Sequence, residues 1–247
     1  MKRSFRLVSG LMFALLLAGP AAANVIINGT RVIYPGNERE VTVKLNNDGS
    51  APALVQVWLD RGDPKVTPDK SDAPFVLTPP IARLEPKKGQ TLRLMYTGQP
   101  LPQDRESVFW LNMLEVPPMP KGESSKNYVQ LAFRSRIKVF FRPSGLPGRA
   151  DQAPGKLHWR VVPTAGGKGL SLECNNPTPY HVSFSNMGVI AAGHSYVFNE
   201  GGMVEPNAKA TFPLAGLNAA PAAGSEVDFN SINDYGGNVL LKGQLEP

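Results

Sequence analysis

From Tyr128 to Phe141 the chain alternates: Val129, Leu131, Phe133, Ile137, Val139 and Phe141 share one parity, interrupted only at Ser135. The other parity carries Gln130, Ala132, Arg134, Arg136, Lys138 and, beyond, Arg142. Period-two alternation is the signature of a β-strand with one apolar face. This run lasts about fourteen residues, against the ~5–6 of an ordinary strand. A strand of that length outruns any core that could bury it, and four of its outward positions are cations. Whatever the chain folds into must accommodate a strand that continues past its own sandwich.

Shorter alternations recur along the chain. "VTVKLNN", "ALVQVWL" and "TLRLMY" precede the long strand, and "LHWRVV", "GLSLEC", "HVSFSN", "SYVFN", "ATFPL" and "NVLLKGQL" follow it. No helical periodicity competes with them, and 24 Gly and 24 Pro punctuate the runs. "SVFWLNMLEVPP" is nearly all apolar, which suits a central strand buried on both faces and stopped by Pro117-Pro118. After Phe141, the Pro- and Gly-rich "RPSGLPGRADQAPG" marks a domain boundary. The fold class is therefore all-β, with two antiparallel sandwiches of immunoglobulin-like architecture, each about a hundred residues long.

The chain opens with Lys2, Arg3 and Arg6, then an apolar stretch, then Ala21-Ala22-Ala23. This reads as a secretory signal peptide over residues 1–23, because its apolar run is shorter than the ~20 residues that span a bilayer. Domain boundaries follow at 24–145 and 146–247. Of 26 Lys and Arg, three lie in this leader, so 23 face the 20 Asp and Glu, a net of +3. So weak a bias gives no reason to expect nucleic acid, and no later segment reads as inserting in a membrane.

Cys174, the single cysteine, shares parity with Leu170 and Leu172 and reads as a buried packing residue. Catalytic signatures such as G-x-S-x-G and H-E-x-x-H are missing, and His158, His181 and His194 lack metal-ligand spacing. "GVIAAGHS" copies the spacing of a phosphate loop but puts His194 where the lysine belongs, so a hairpin turn explains it better. No enzyme activity, metal or cofactor is expected.

Six blocks, "GTRVIYPGNEREVTVKLNN", "FVLTPPIARLEPKKGQTLRL", "SVFWLNMLEVPP", "RSRIKVFFRP", "NPTPYHVSF" and "INDYGG", together resemble the periplasmic pilus chaperones of the chaperone–usher pathway, in family order and over nearly the whole mature chain. The resemblance implies an L- or boomerang-shaped pair of immunoglobulin-like domains that folds and caps pilus subunits in the periplasm by donor-strand complementation. It implies fimbrial subunits and an outer-membrane usher as partners, and a monomer or weak self-capping dimer between encounters. Carried over position by position, it makes Arg31 and Lys138 the binders of the subunit's C-terminal carboxylate. Val129, Leu131 and Phe133 become the donor residues, and Glu106, Arg142 and Asp234 an interdomain ion network.

The short loop from Met119 to Asn127 resembles the branch that assembles rod-like pili. Lys126, Arg134 and Arg136 read as solvated charges that discourage edge-to-edge aggregation. Strict alternation puts Lys138 on the face opposite Leu131 and Phe133, which would require strand twist or a bulge to aim it at the subunit. Two other readings differ in kind. A fibre subunit should carry a donor extension after the leader, whereas strand-like "NVIINGTRVIYPG" begins at once, and an exported hydrolase should carry a catalytic constellation.

Overall fold

The computed structural model describes residues 25–118, 130–164, 166, 169–191 and 193–247. Nine strands build the first sandwich: β1 (Val25–Ile27), β2 (Arg31–Pro35), β3 (Glu40–Asn47), β4 (Ala53–Asp60), β5 (Phe75–Thr78), β6 (Ile81–Leu84), β7 (Gly89–Tyr96), β8 (Ser107–Val116) and β9 (Phe133–Arg142). One sheet has the order β1-β3-β7-β5 and the other β2-β9-β8-β4-β6. The alternation predicts which side faces in: Val43 and Leu45 of β3, Val55 and Val57 of β4, and Leu92 and Leu94 of β7 are buried in one core with Phe109, Leu111 and Val139. Tyr34 stacks on Phe141, ring centroids 5.9 Å apart, and its hydroxyl accepts from the Tyr96 amide and donates to the Arg39 carbonyl. A buried phenol is thereby satisfied at both ends.

The second sandwich comprises β10 (His158–Pro163), β11 (Leu170–Asn176), β12 (Val182–Ala191), β13 (His194–Phe198), β14 (Gly202–Val204), β15 (Ala208–Leu214), β16 (Glu226–Ile232) and β17 (Asn238–Gln244). Its sheets run β10-β11-β15 and β13-β12-β16-β17, with β14 also on β12. Trp159, Phe184 and Phe229 fill the centre, the Trp159 and Phe229 rings 4.9 Å apart. Cys174 is fully buried opposite Trp159, and burial pushes its thiol pKa well up, so it packs rather than reacts. The phosphate-loop decoy is a hairpin: β12 and β13 pair antiparallel, with Ala191 opposite His194.

Four strands escaped the sequence reading: β5, β6, β14 and β16. Two of them, β5 and β6, are short edge strands around the Pro79-Pro80 step, where prolines mask the alternation. By contrast β16 is interior, between β12 and β17; it buries Val227, Phe229 and Ser231 but alternates them with Asp and Asn, which read as a loop.

The long strand also differs from expectation. It has ten residues, Phe133–Arg142, and Gln130–Ala132 lie outside any ladder. Tyr128 and Val129 fall outside the described residues. Pairing stops where the partner does: Glu115 opposite Phe133 is the last pair with β8, and Pro117-Pro118 ends β8 just beyond. A strand needs a ladder for its backbone groups, and alternation alone supplies none.

Candidate functional site

Parallel pairing of β2 with β9 sets Arg31 directly beside Lys138. Both side chains point to the face that meets the second sandwich. Arg31 donates through Nη1 to the Ile232 carbonyl at 2.9 Å, its guanidinium lies 5.8 Å from the Phe140 ring centre, and its Nε is buried without a partner. Lys138 Nζ is 3.4 Å from Ser183 Oγ and 5.5 Å above Trp110. Among the described residues no carboxylate lies within ion-pair distance of either cation. Burial, and then the charge of Arg31, push the Lys138 pKa down from 10.5 to about 8. Arg31 is also lowered by burial, an effect that Asp234 and Glu106 oppose from a distance. Two adjacent, half-buried cations, neither with an ion-pair partner among the described residues, present donors that a single carboxylate can accept from together.

On one side β9 pairs with β8 from Phe133 to Phe141, but on the other β2 covers only Lys138 to Arg142. Among the described residues the backbone from Phe133 to Ile137 therefore has a free edge, and Leu131 and Phe133 beside it are 62% and 46% exposed. No bulge re-aims Lys138, because the β8–β9 register is continuous from Phe133 to Phe141. Instead the cleft lies on the cationic face and the apolar residues leave by the opposite one. The same strand presents Lys138 on one face and an apolar row on the other.

Below the cation pair the two sandwiches are joined by ions. Arg142 donates through Nε to Glu106 at 2.6 Å and through both Nη atoms to Asp234 at 2.8 and 2.9 Å. Burial works against the Arg142 charge, but the hydrogen bonds and charges of Asp234 and Glu106 outweigh it and raise its pKa. The other Glu106 oxygen accepts the His181 amide at 2.8 Å and lies 3.3 Å from His181 Nδ1. The side chain of His181, one of the three histidines without metal-ligand spacing, is buried here with its ring 5.5 Å from Phe140. An open cavity of about 660 Å³ beside this junction takes walls from both sandwiches, Arg31 and Phe140 from one, Tyr180 and Tyr235 from the other.

Arg134 and Arg136 are not the solvated charges that alternation implied. Both lie along β8 and β4, held by Asn112 and the buried Asp60. Lys126, like the whole Met119–Asn127 loop, lies outside the described residues.

Two immunoglobulin-like sandwiches joined by an ion cluster, with a cation pair between them and a half-open strand alongside, define a two-domain protein-binding module. Residues 24–147 match the family described as pili and flagellar-assembly chaperone, PapD N-terminal domain, and residues 152–242 match pili assembly chaperone PapD, C-terminal domain. The chain belongs to this family of pilus-assembly chaperones. It is 46% identical over 221 residues to the probable fimbrial chaperone YadV of Escherichia coli K12, covering 88% of each chain, and 41% identical to the chaperone MrkB of Klebsiella pneumoniae, covering 90% and 91%. The crystal structure of the YadV chaperone superposes with a TM-score of 0.78 at 43% identity, over 90% of this chain and all of that one. A chaperone from a Salmonella enterica SafA pilin–SafB chaperone complex superposes with a TM-score of 0.73 at 27% identity, over 92% of this chain and 99% of that one.

Proposed function

We propose that this chain is a non-enzymatic periplasmic chaperone that captures pilus subunits by lending them the free half of β9, then delivers them to an outer-membrane usher. The observation that carries the reading is the half-open edge of β9 from Phe133 to Ile137, flanked by exposed Leu131 and Phe133. An incomplete immunoglobulin-like subunit lacks a strand, and strand addition satisfies its backbone while alternate side chains fill its groove. Each donor side chain that becomes fully buried contributes roughly 1.5–3 kcal/mol. Arg31 and Lys138 bind the subunit's C-terminal carboxylate and so set the register in which the donor strand enters. Glu106, Arg142 and Asp234 hold the angle between the sandwiches. The SafA pilin–SafB pairing among similar structures supports a pilin as the guest.

The test is capture. Arg31→Ala and Lys138→Ala should each leave the chaperone folded and lower recovery of a co-expressed, tagged pilin by ~10–100-fold, since a hydrogen bond to a charged group contributes roughly 1.5–3 kcal/mol. Undiminished recovery with both variants would rule out the carboxylate clamp.

A further inference from the structure

The free half of β9 must hold a definite register while, among the described residues, only one of its edges is paired. Strand segments with few neighbours fray readily. What restrains this one lies on its cationic face. Asp60, fully buried at the end of β4, accepts from the Gly62 amide at 2.7 Å, from Asn112 Nδ2 at 2.7 Å and from Arg136 Nη2 at 2.5 Å. Asn112, fully buried on the neighbouring β8, accepts at its Oδ1 from Arg134 Nε at 3.0 Å, Arg134 Nη2 at 2.6 Å and Arg136 Nε at 3.0 Å. Arg134 also reaches the Pro64 carbonyl at 2.6 Å and lies 4.7 Å from the Trp58 ring centre. The Arg136 guanidinium sits 4.6 Å from Trp110, the ring that Lys138 also covers.

We infer that Asp60 and Asn112 are positioning residues for subunit capture: a buried acceptor pair on β4 and β8 that grips Arg134 and Arg136 and thereby holds the free half of β9 extended and in register. The geometry is specific to that half. Arg134 and Arg136 alternate with Phe133, Ser135 and Ile137, so each grip fixes the strand from one face while, among the described residues, the far edge stays unpaired and Phe133 stays exposed on the other face. Planar guanidinium forks held by two acceptors and stacked on an indole restrict both the strand's slide and its twist, which a solvated lysine would not do. Trp110 connects the grip to the anion site, because Arg136 and Lys138 lie over the same ring. A carboxylate bound at Lys138 and a groove seated on Leu131 and Phe133 are then held at a fixed separation along one restrained strand.

This inference rests on the donor-strand reading, and the experiment separates the two. In the free full-length chaperone, hydrogen exchange of the Phe133–Ile137 amides should accelerate at least about tenfold in Asp60→Asn, about 1.4 kcal/mol on the usual conversion, while Val139–Phe141 keep their protection. Capture of the tagged pilin should slow by a similar factor. Arg136→Lys, which keeps the charge but loses the fork and leaves the buried acceptors in place, should act the same way. Should Asp60→Asn fail to fold, the Arg136→Lys result decides alone. Unchanged exchange at Phe133–Ile137 overturns the inference, as does exchange that rises equally across the whole sandwich. Leu131→Glu is measured beside them. If it captures pilin normally, the donor-strand reading falls while exchange still judges the grip; if it abolishes capture and Arg136→Lys captures at the normal rate, only the grip falls.

Discussion

The two halves of β9 share a strand, a partner and a rhythm, yet only one is finished. From Lys138 to Phe141 the strand is paired on both edges, Val139 and Phe141 are buried in the first core, and Phe140, on the outward parity, is covered by His181 of the second sandwich. From Phe133 to Ile137 it is paired on one edge among the described residues; Ile137 still packs against the core, but Phe133 looks past its end. The residue types hardly change across the boundary. The neighbours do, and they alone make Phe141 a core residue and Phe133 an exposed one.

The sharpest way to break that comparison is to place the same charge in each half. Phe141→Glu should bury a carboxylate among Tyr34, Phe75 and Tyr96, at a cost of several kcal/mol, and unfold the first sandwich. Leu131→Glu should barely move the melting temperature, yet it should abolish pilin recovery. Matched thermal scans of the two variants decide it: a Leu131→Glu protein that unfolds like Phe141→Glu would make the free half ordinary core.

A second test acts at the finished end. Arg142→Ala leaves Glu106 buried without its guanidinium. Breaking a fully buried pair costs roughly 3–5 kcal/mol; Glu106 is buried but Arg142 is 23% exposed, so the loss falls below that range, and the partly exposed Asp234 side adds little to it. The expected result is a lower denaturation midpoint and a broader distribution of interdomain distances in solution scattering. A scattering profile identical to that of the unmodified protein would show that the ion cluster does not set the domain angle.

The smallest effect is read by pH. With its pKa at about 8, Lys138 is charged in the free chaperone below that pH and loses its proton above it. A bound carboxylate favours the charged form, so pilin affinity should hold below about pH 8 and weaken as pH rises beyond it. Folding stability should run the other way. The pKa is lowered in the folded state, so holding a charged Lys138 there is most costly below about 8, and this cost fades as pH climbs towards 10.5. Lys138→Arg should flatten the affinity profile. Affinity that stays level from pH 7 to 10 in the unmodified protein would remove Lys138 from the anion site.

Much of this was legible in the residues. Alternation located most of the strands, and "SVFWLNMLEVPP" declared the centre of its sheet. The ion cluster was visible only through resemblance, since Glu106, Arg142 and Asp234 lie on separate strands and loops and nothing in their local sequence ties them together. His181 gave no signal at all, because its partner is 75 residues away. Asp60 in "WLDRG" reads as a strand-end turn residue and Asn112 as a blemish in an apolar run. Their meaning arises when β4, β8 and β9 lie side by side and two arginines reach them.

Period-two alternation by itself determined that the chain is all-β, which face of each strand is apolar, and that one apolar row runs on longer than an ordinary strand. Alternation reports a strand's own side chains and says nothing about what stands opposite them. Where β2 stops covering β9, where the core ends beneath Phe133, and which acceptors lie under Arg134 and Arg136 were decided by the tertiary structure. Burial and edge pairing are properties of neighbours brought together from distant parts of the chain, and they divide one continuous apolar row into a part that holds the fold and a part left open beside it.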